Sequence, residues 1–138
     1  MRKRTRSREF ALQALYQIDI TGDPPDIALD AFWMSCREEN LEEQVREFAD
    51  ELVRGVFSRR EKIDELISLH ATNWQLKRMA IVDRNILRLG CYELVFRSDI
   101  PPKVSINEAV ELAKRYSSLE AGKFVNAVLD KIKAEHDK

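Results

Sequence analysis

Apolar side chains recur at intervals of three and four along nearly the whole chain, and no stretch of useful length alternates as a strand would. The pattern predicts an all-α fold of about seven helices in two bundled subdomains, about 1–58 and 59–138, around a central helix. Ala11, Ala14, Leu15 and Ile18 stripe a first helix that begins near Thr5 or Ser7, either of which can cap it, and stops at Gly22. Beyond Asp23-Pro24-Pro25, the positions Leu29, Phe32, Trp33 and Cys36 mark a second helix. Asn40 with Glu43 resembles a capping box opening a third, whose buried face is Val45, Phe48, Ala49, Leu52 and Val56. Ile63, Leu66, Ile67 and His70 give a fourth, and Thr72-Asn73-Trp74 reads as a corner. After the break at Asp99-Ile100-Pro101-Pro102, Ser105 with Glu108 forms a second capping box, with Val104 and Ala109 as its staple; Ile106, Ala109, Val110 and Ala113 stripe that helix, which Tyr116 closes. The last helix opens around Ser118 to Gly122 and turns Val125, Val128, Leu129 and Ile132 inward, with Lys123, Asn126 and Lys131 outward.

The central helix is IVDRNILRLGCYELVF, residues 81–96, apolar nearly all round in its second half. At about 100° per residue, Arg84 and Arg88 project from one side and Glu93 and Arg97 from roughly the opposite one. An exposed stripe that changes sides near Gly90 is expected. Gly90 costs about 1 kcal/mol relative to alanine in a helix interior, which a closely passing neighbouring backbone explains; an ordinary core helix with a tolerated glycine is the alternative.

With 138 residues, 44% of them hydrophobic and 34% charged, the chain can bury a real core as one globular domain. No apolar run approaches the ~18 residues a membrane span needs, and the amino terminus lacks the apolar segment of a secretion signal, so a cytoplasmic protein without membrane contact is expected. Cys36 and Cys91 lie within apolar patterns and read as two reduced core thiols, a redox pair being the alternative. The net charge of −1 conceals a split: Arg2, Lys3, Arg4, Arg6 and Arg8 crowd the start without an acid among them. Seven acids between Glu38 and Glu51 face only Arg46.

Catalysis would require a nucleophile with a base, convergent carboxylates or a metal cluster, and His70 and His136 are the only histidines. His70 sits on a core stripe and reads as a packed imidazole. With no CxxC, HExxH or Walker-type loop, an enzyme is not expected, and neither a cofactor nor a metal. The basic arm is more informative, because cations at a helix amino terminus oppose the dipole and something outside the fold should neutralise them. Nucleic-acid phosphates would do so; a solvated tail is the plain alternative. Tyr16 and Phe124 fall off the core stripes of their helices, where a ring either stacks on an unpaired base or packs inward. Lys103, Lys114, Arg115, Lys123 and Lys131 either extend a backbone track or decorate a surface.

The string VDRNILRLGCYEL, then DIPPKVSINEAVELAKRYS and KFVNAVLDKI, with REFALQALYQ at the front, resembles the NusB family of transcription antitermination factors over essentially the whole chain. The resemblance implies an all-helical, non-enzymatic RNA-binding factor. Members pair with NusE, a small-subunit ribosomal protein, and the heterodimer binds the single-stranded boxA element of nascent ribosomal RNA transcripts. With other Nus factors it acts on RNA polymerase to suppress termination and assist ribosomal RNA synthesis. Matching the motifs places Arg4, Arg6 and Arg8 in the arginine-rich arm, Tyr16 at the tyrosine of ALYQ, and Lys123 and Phe124 in KFVN at the RNA surface; Arg2 and Lys3, from the same basic run, are expected to bind RNA with them. Asp83 and Glu120 fall where the family has acids near the partner or the RNA edge. Ala127 replaces the glycine usual after KFVN, and Leu119-Glu120-Ala121-Gly122 varies in a variable loop. A related helical domain occurs fused to ribosomal RNA cytosine methyltransferases; this chain, ending at Lys138 with no nucleotide-cofactor domain, is expected not to be that fusion. The reading from another class is a protein-binding module, a homodimer among the possibilities, whose arm meets an acidic protein.

Overall fold

Helical periodicity carries through to the computed structural model, which describes residues 2–136. Seven α-helices follow one another: α1 (Lys3–Thr21), α2 (Pro25–Ser35), α3 (Glu43–Ser58), α4 (Arg60–His70), α5 (Ile81–Phe96), α6 (Pro102–Tyr116) and α7 (Leu119–His136), with a short 3-10 turn at Leu76–Arg78. The fold is all-α, and the described residues contain no strand. None of these helices is long and apolar enough to cross a membrane. By contact the chain divides into two compact units, Met1–Ser58 and Arg59–Lys138.

In the first unit α1 packs on α2 and α3. Phe10, Phe32 and Trp33 meet edge to face, with centroids 4.9–6.0 Å apart, and the Trp33 indole N–H donates to Asp50 at 2.7 Å. Leu15, Leu29, Phe48, Leu52 and Val53 are among the residues buried around them. Gly22 ends α1 in the left-handed region at φ 76°, which glycine adopts without steric cost, and its N–H donates to Ile18 O at 2.8 Å. Three expected boundaries are corrected. The first helix starts at Lys3 without a side-chain cap, because the Ser7 hydroxyl is committed to Val45 O at 2.8 Å, tying α1 to α3. Asn40 is no cap either: it takes φ 59° in the turn before α3, and the Val45 and Arg46 amides donate to Glu42 O. Cys36 lies just past the end of α2.

In the second unit α4, α6 and α7 all pack on α5, whose ends fall at the expected residues. Ile86, Leu87, Leu89 and Cys91 are fully enclosed with Ile63, Ile67, Leu129 and Ile132. A methyl group at Gly90 would stand 2.8 Å from Leu129 Cδ1 and 3.2 Å from Ala109 Cβ. Close approach is therefore the reason for glycine, but side chains of α6 and α7 make it. The expected exposed stripe is also corrected. Glu93 is 1% exposed and accepts from the Ser105 hydroxyl at 3.2 Å. Arg88 forks onto Asp64 at 2.9 and 3.2 Å and donates to Asn85 Oδ1, while Arg97 forks onto Asp99. These polar groups tie α5 to its surroundings. Ser105 is consequently no cap: α6 opens at Pro102, where a proline lacks only an N–H that the first turn leaves free anyway. Val104, the expected staple, is exposed. His70 is buried, with Nδ1 2.8 Å from Leu66 O and Nε2 3.1 Å from Glu135. Both cysteines are free thiols; burial pushes Cys91 up to about 12, with the Asp64 charge a smaller cause.

Candidate nucleic-acid interface

The first turn of α1 has no side-chain cap at Arg2 and no acid, so its positive end stands beside Arg2, Lys3, Arg4 and Arg6. The fold answers part of that charge itself. Lys3 Nζ lies 2.9 Å from Glu42, and Arg6 donates to Glu38 at 2.8 and 3.2 Å and to Glu9 at 2.9 Å. Its hydrogen bonds to Glu38 raise the Arg6 pKa. The expectation that only an outside partner neutralises the arm is thus corrected: acids from the segment between α2 and α3 serve Lys3 and Arg6. Arg8 departs further. It is 2% exposed, with its guanidinium 5.6 Å from the Phe48 ring centre, and holds α1 within the fold. Arg2 and Arg4 are exposed and have no acidic partner among the described residues; the Arg4 guanidinium lies over the Phe48 ring, 4.1 Å from its centre.

Tyr16 is 40% exposed on α1. At 1.5 Å and 100° per residue it stands roughly 18 Å along the helix from Arg4 and about a third of a turn round it. The ring and the arginines do not share one face of α1.

In the second unit Ser118 sets the other expected residues in place. Its hydroxyl accepts the Ala121 N–H at 3.0 Å, capping α7 and fixing where the next turn points. Gly122 faces inward against the Lys114 stem and Val110, which leaves Lys123 outward and Phe124 half-buried. Phe124 meets Trp74 edge to face at 5.9 Å. Asp83, Glu120, Lys123 and Phe124, all expected from the sequence, line one open cleft of about 540 Å³. Trp74 and Arg78 line it too, and neither was expected. The signal was available, since Trp74 is a large aromatic in a polar corner, but periodicity gives a corner residue no direction. Lys123 and Glu120 stand 3.7 Å apart at 79% and 84% exposure, a pair too solvated to hold either group in place. Asp83 favours the first turn of α5 through the dipole, yet its Oδ1 is enclosed without a hydrogen-bond partner among the described residues. An unmet buried oxygen costs about 1–3 kcal/mol, a cost that a donor brought by a partner can relieve.

The geometry thus comprises a cationic helix start and, in the other unit, an aromatic cleft with both signs of charge. Among the described residues there is no cluster of histidine, cysteine or carboxylate able to hold a metal. The sequence matches the profile of the NusB family over residues 5–134. The transcription antitermination protein NusB of Anaeromyxobacter sp. (strain Fw109-5) is 56% identical over 132 residues, spanning 96% of this chain and 90% of that protein. Among solved structures, T. maritima NusB aligns with a TM-score of 0.85 at 39% identity, over 98% of this chain and 93% of its own. A chain of the crystal structure of antitermination factors NusB and NusE in complex with dsRNA aligns with a TM-score of 0.86 at 33% identity, over 98% of each. The chain belongs to the NusB family.

Proposed function

We propose that this chain is a non-enzymatic, cytoplasmic RNA-binding factor of transcription antitermination that pairs with NusE and binds the single-stranded boxA element of nascent ribosomal RNA transcripts. The observation that carries the reading is the likeness, over 98% of both chains, to a protein crystallised with NusE and dsRNA. The site chemistry agrees with it. Arg2 and Arg4, without an acidic partner among the described residues, offer positive charge at the positive end of α1, where a phosphate gains from both charge and dipole. Lys3 and Lys123 sit in exposed pairs that a polyanion can exchange at little cost. Phe124 and Tyr16 present partly exposed rings to unpaired bases. Arg6 and the enclosed Arg8 support the α1 surface from beneath.

Asp83 and Glu120, on the cleft that Phe124 lines, are assigned to the partner, which supplies the donor that Asp83 Oδ1 lacks. NusE then extends the RNA contacts of the heterodimer, and the assembly joins other Nus factors on RNA polymerase. An electrophoretic shift with boxA-like single-stranded RNA, with and without NusE, tests this. NusE should tighten RNA binding by about 5- to 150-fold, and RNA should tighten the protein pair by the same factor. Equal RNA affinity with and without NusE would contradict the coupling.

A further inference from the structure

A second cleft, of about 410 Å³, lies within the first unit between α1 and the end of α2. Arg6, Phe10, Gln13 and Gln17 line it from α1, because offsets of four, seven and eleven residues return to nearly the same side of a helix. Arg37 and Glu38 line it from beyond α2. Arg6 is unusual among the basic residues in how its guanidinium is held. Glu38 takes it by a fork, Glu9 takes it from another side, and the Phe10 ring lies under it at 4.1 Å. Its charge is met and its plane is fixed, while 31% of the side chain still faces solvent. The side chains of Gln13, Gln17 and Arg37 make no hydrogen bond or ion pair with the described residues.

A guanidinium with its charge met makes a poor phosphate ligand, but a fixed plane with one face on a ring is a stacking platform. Free primary amides offer donors and acceptors together, which is what a base edge requires, and a free arginine nearby suits the adjoining phosphate. We propose that this cleft seats one unpaired base of the RNA strand, stacked on the Arg6 guanidinium, with Gln13 and Gln17 facing its edge and Arg37 on the flanking phosphate. The assignment rests on the RNA-binding reading above and alters one part of it: Arg6 acts through its plane and Arg37 through its charge. The volume suits such an occupant, since pockets for small ligands run from about 300 to 1,000 Å³.

The test is fluorescence anisotropy of labelled boxA-like RNA with the NusE heterodimer, across a salt series. Arg6→Lys keeps the charge and removes the plane, so affinity should fall by about 5- to 150-fold, the value of one stacked base, with the salt slope unchanged. Arg37→Ala should lower the slope by about 0.7. Because Arg6→Lys disturbs Glu9, the surface variant Gln13→Ala/Gln17→Ala is measured beside it and should also weaken binding with unchanged thermal unfolding. RNAs with one abasic position at a time should reveal a single position whose loss costs the wild type affinity and costs the double glutamine variant nothing more. If wild type binds and the glutamine variant and Arg37→Ala bind equally well with equal slopes, the cleft is not an RNA site and the proposal is overturned while the RNA reading stands. If wild type binds no RNA at any salt, both fall.

Discussion

Lys3 and Arg6 meet Glu42 and Glu38 at the exposed start of α1, whereas Arg88 and Glu93 on α5 meet Asp64 and Ser105 inside the second unit. Both regions pair their charges across elements, yet the energetics differ because water competes more strongly at the first, where the Lys3 and Glu42 side chains are 54% and 52% exposed, than at the second, where those of Arg88 and Asp64 are 13% and 28% exposed and Glu93 is enclosed. The well-exposed Lys3–Glu42 pair is worth about 0–1 kcal/mol and can be given up to a phosphate, whereas Arg6 stays held by Glu38 and Glu9. A buried partner, once orphaned, costs the full desolvation of the group left behind. Charge on α1 is therefore available for binding, and charge on α5 for holding helices in register.

Substitutions separate the two regions, and the largest effect belongs to α5. Gly90→Leu should lose about 3 kcal/mol, lowering the thermal midpoint by roughly 10 °C, since even a methyl group there already crowds Ala109 and Leu129. An unchanged melting curve by circular dichroism would contradict the packing. Arg88→Ala comes next, at about 2 kcal/mol by urea denaturation, because it removes the fork onto both oxygens of Asp64 and the hydrogen bond to Asn85 Oδ1. Arg2→Ala on the first unit should change stability by no more than about 0.5 kcal/mol under the same conditions.

A smaller effect follows from Cys91. Its folded-state pKa, about 12, lies above the ordinary 9.0. The unfolded chain therefore releases its thiol proton first. Stability from this group is complete below pH 9 and declines as pH rises toward 12, by about 1.4 kcal/mol at pH 10. Cys91→Ala should lack that part of the decline between pH 8 and 10 in chemical denaturation. In the native protein at pH 8, Cys36 should be alkylated well before Cys91, since only Cys36 is partly exposed.

Local order was legible where it depended on local spacing. Residues 81–96 form a helix with the expected ends because their apolar pattern and the following Asp99-Ile100-Pro101-Pro102 break are both short-range signals. Cap residues misled for the opposite reason. Ser7 and Ser105 look like caps in sequence, but tertiary partners at Val45 and Glu93 claim their hydroxyls. Residue type showed which α1 side chains were cationic, but not which were free: Arg6 and Glu38 are 32 positions apart, a separation no periodicity rule connects. The gathering of Asp83, Glu120, Lys123 and Phe124 on one cleft likewise depends on α5 and α7 packing together, which charge and aromatic content alone do not specify.

The central claim is that the charge at the start of α1 is held ready for RNA, and its salt dependence tests that most directly. Binding of boxA-like single-stranded RNA by the NusE heterodimer would be titrated over a salt series with wild type and with Arg2→Ala/Arg4→Ala. Each phosphate neutralised by an arginine adds about 0.7 to the slope of log affinity against log salt, so the double variant should show a slope smaller in magnitude by roughly 1.4. Thermal unfolding should stay within a degree or two of wild type, as surface substitutions do. An identical slope for the two proteins would contradict the account, leaving the arginines of α1 as solvated surface charge.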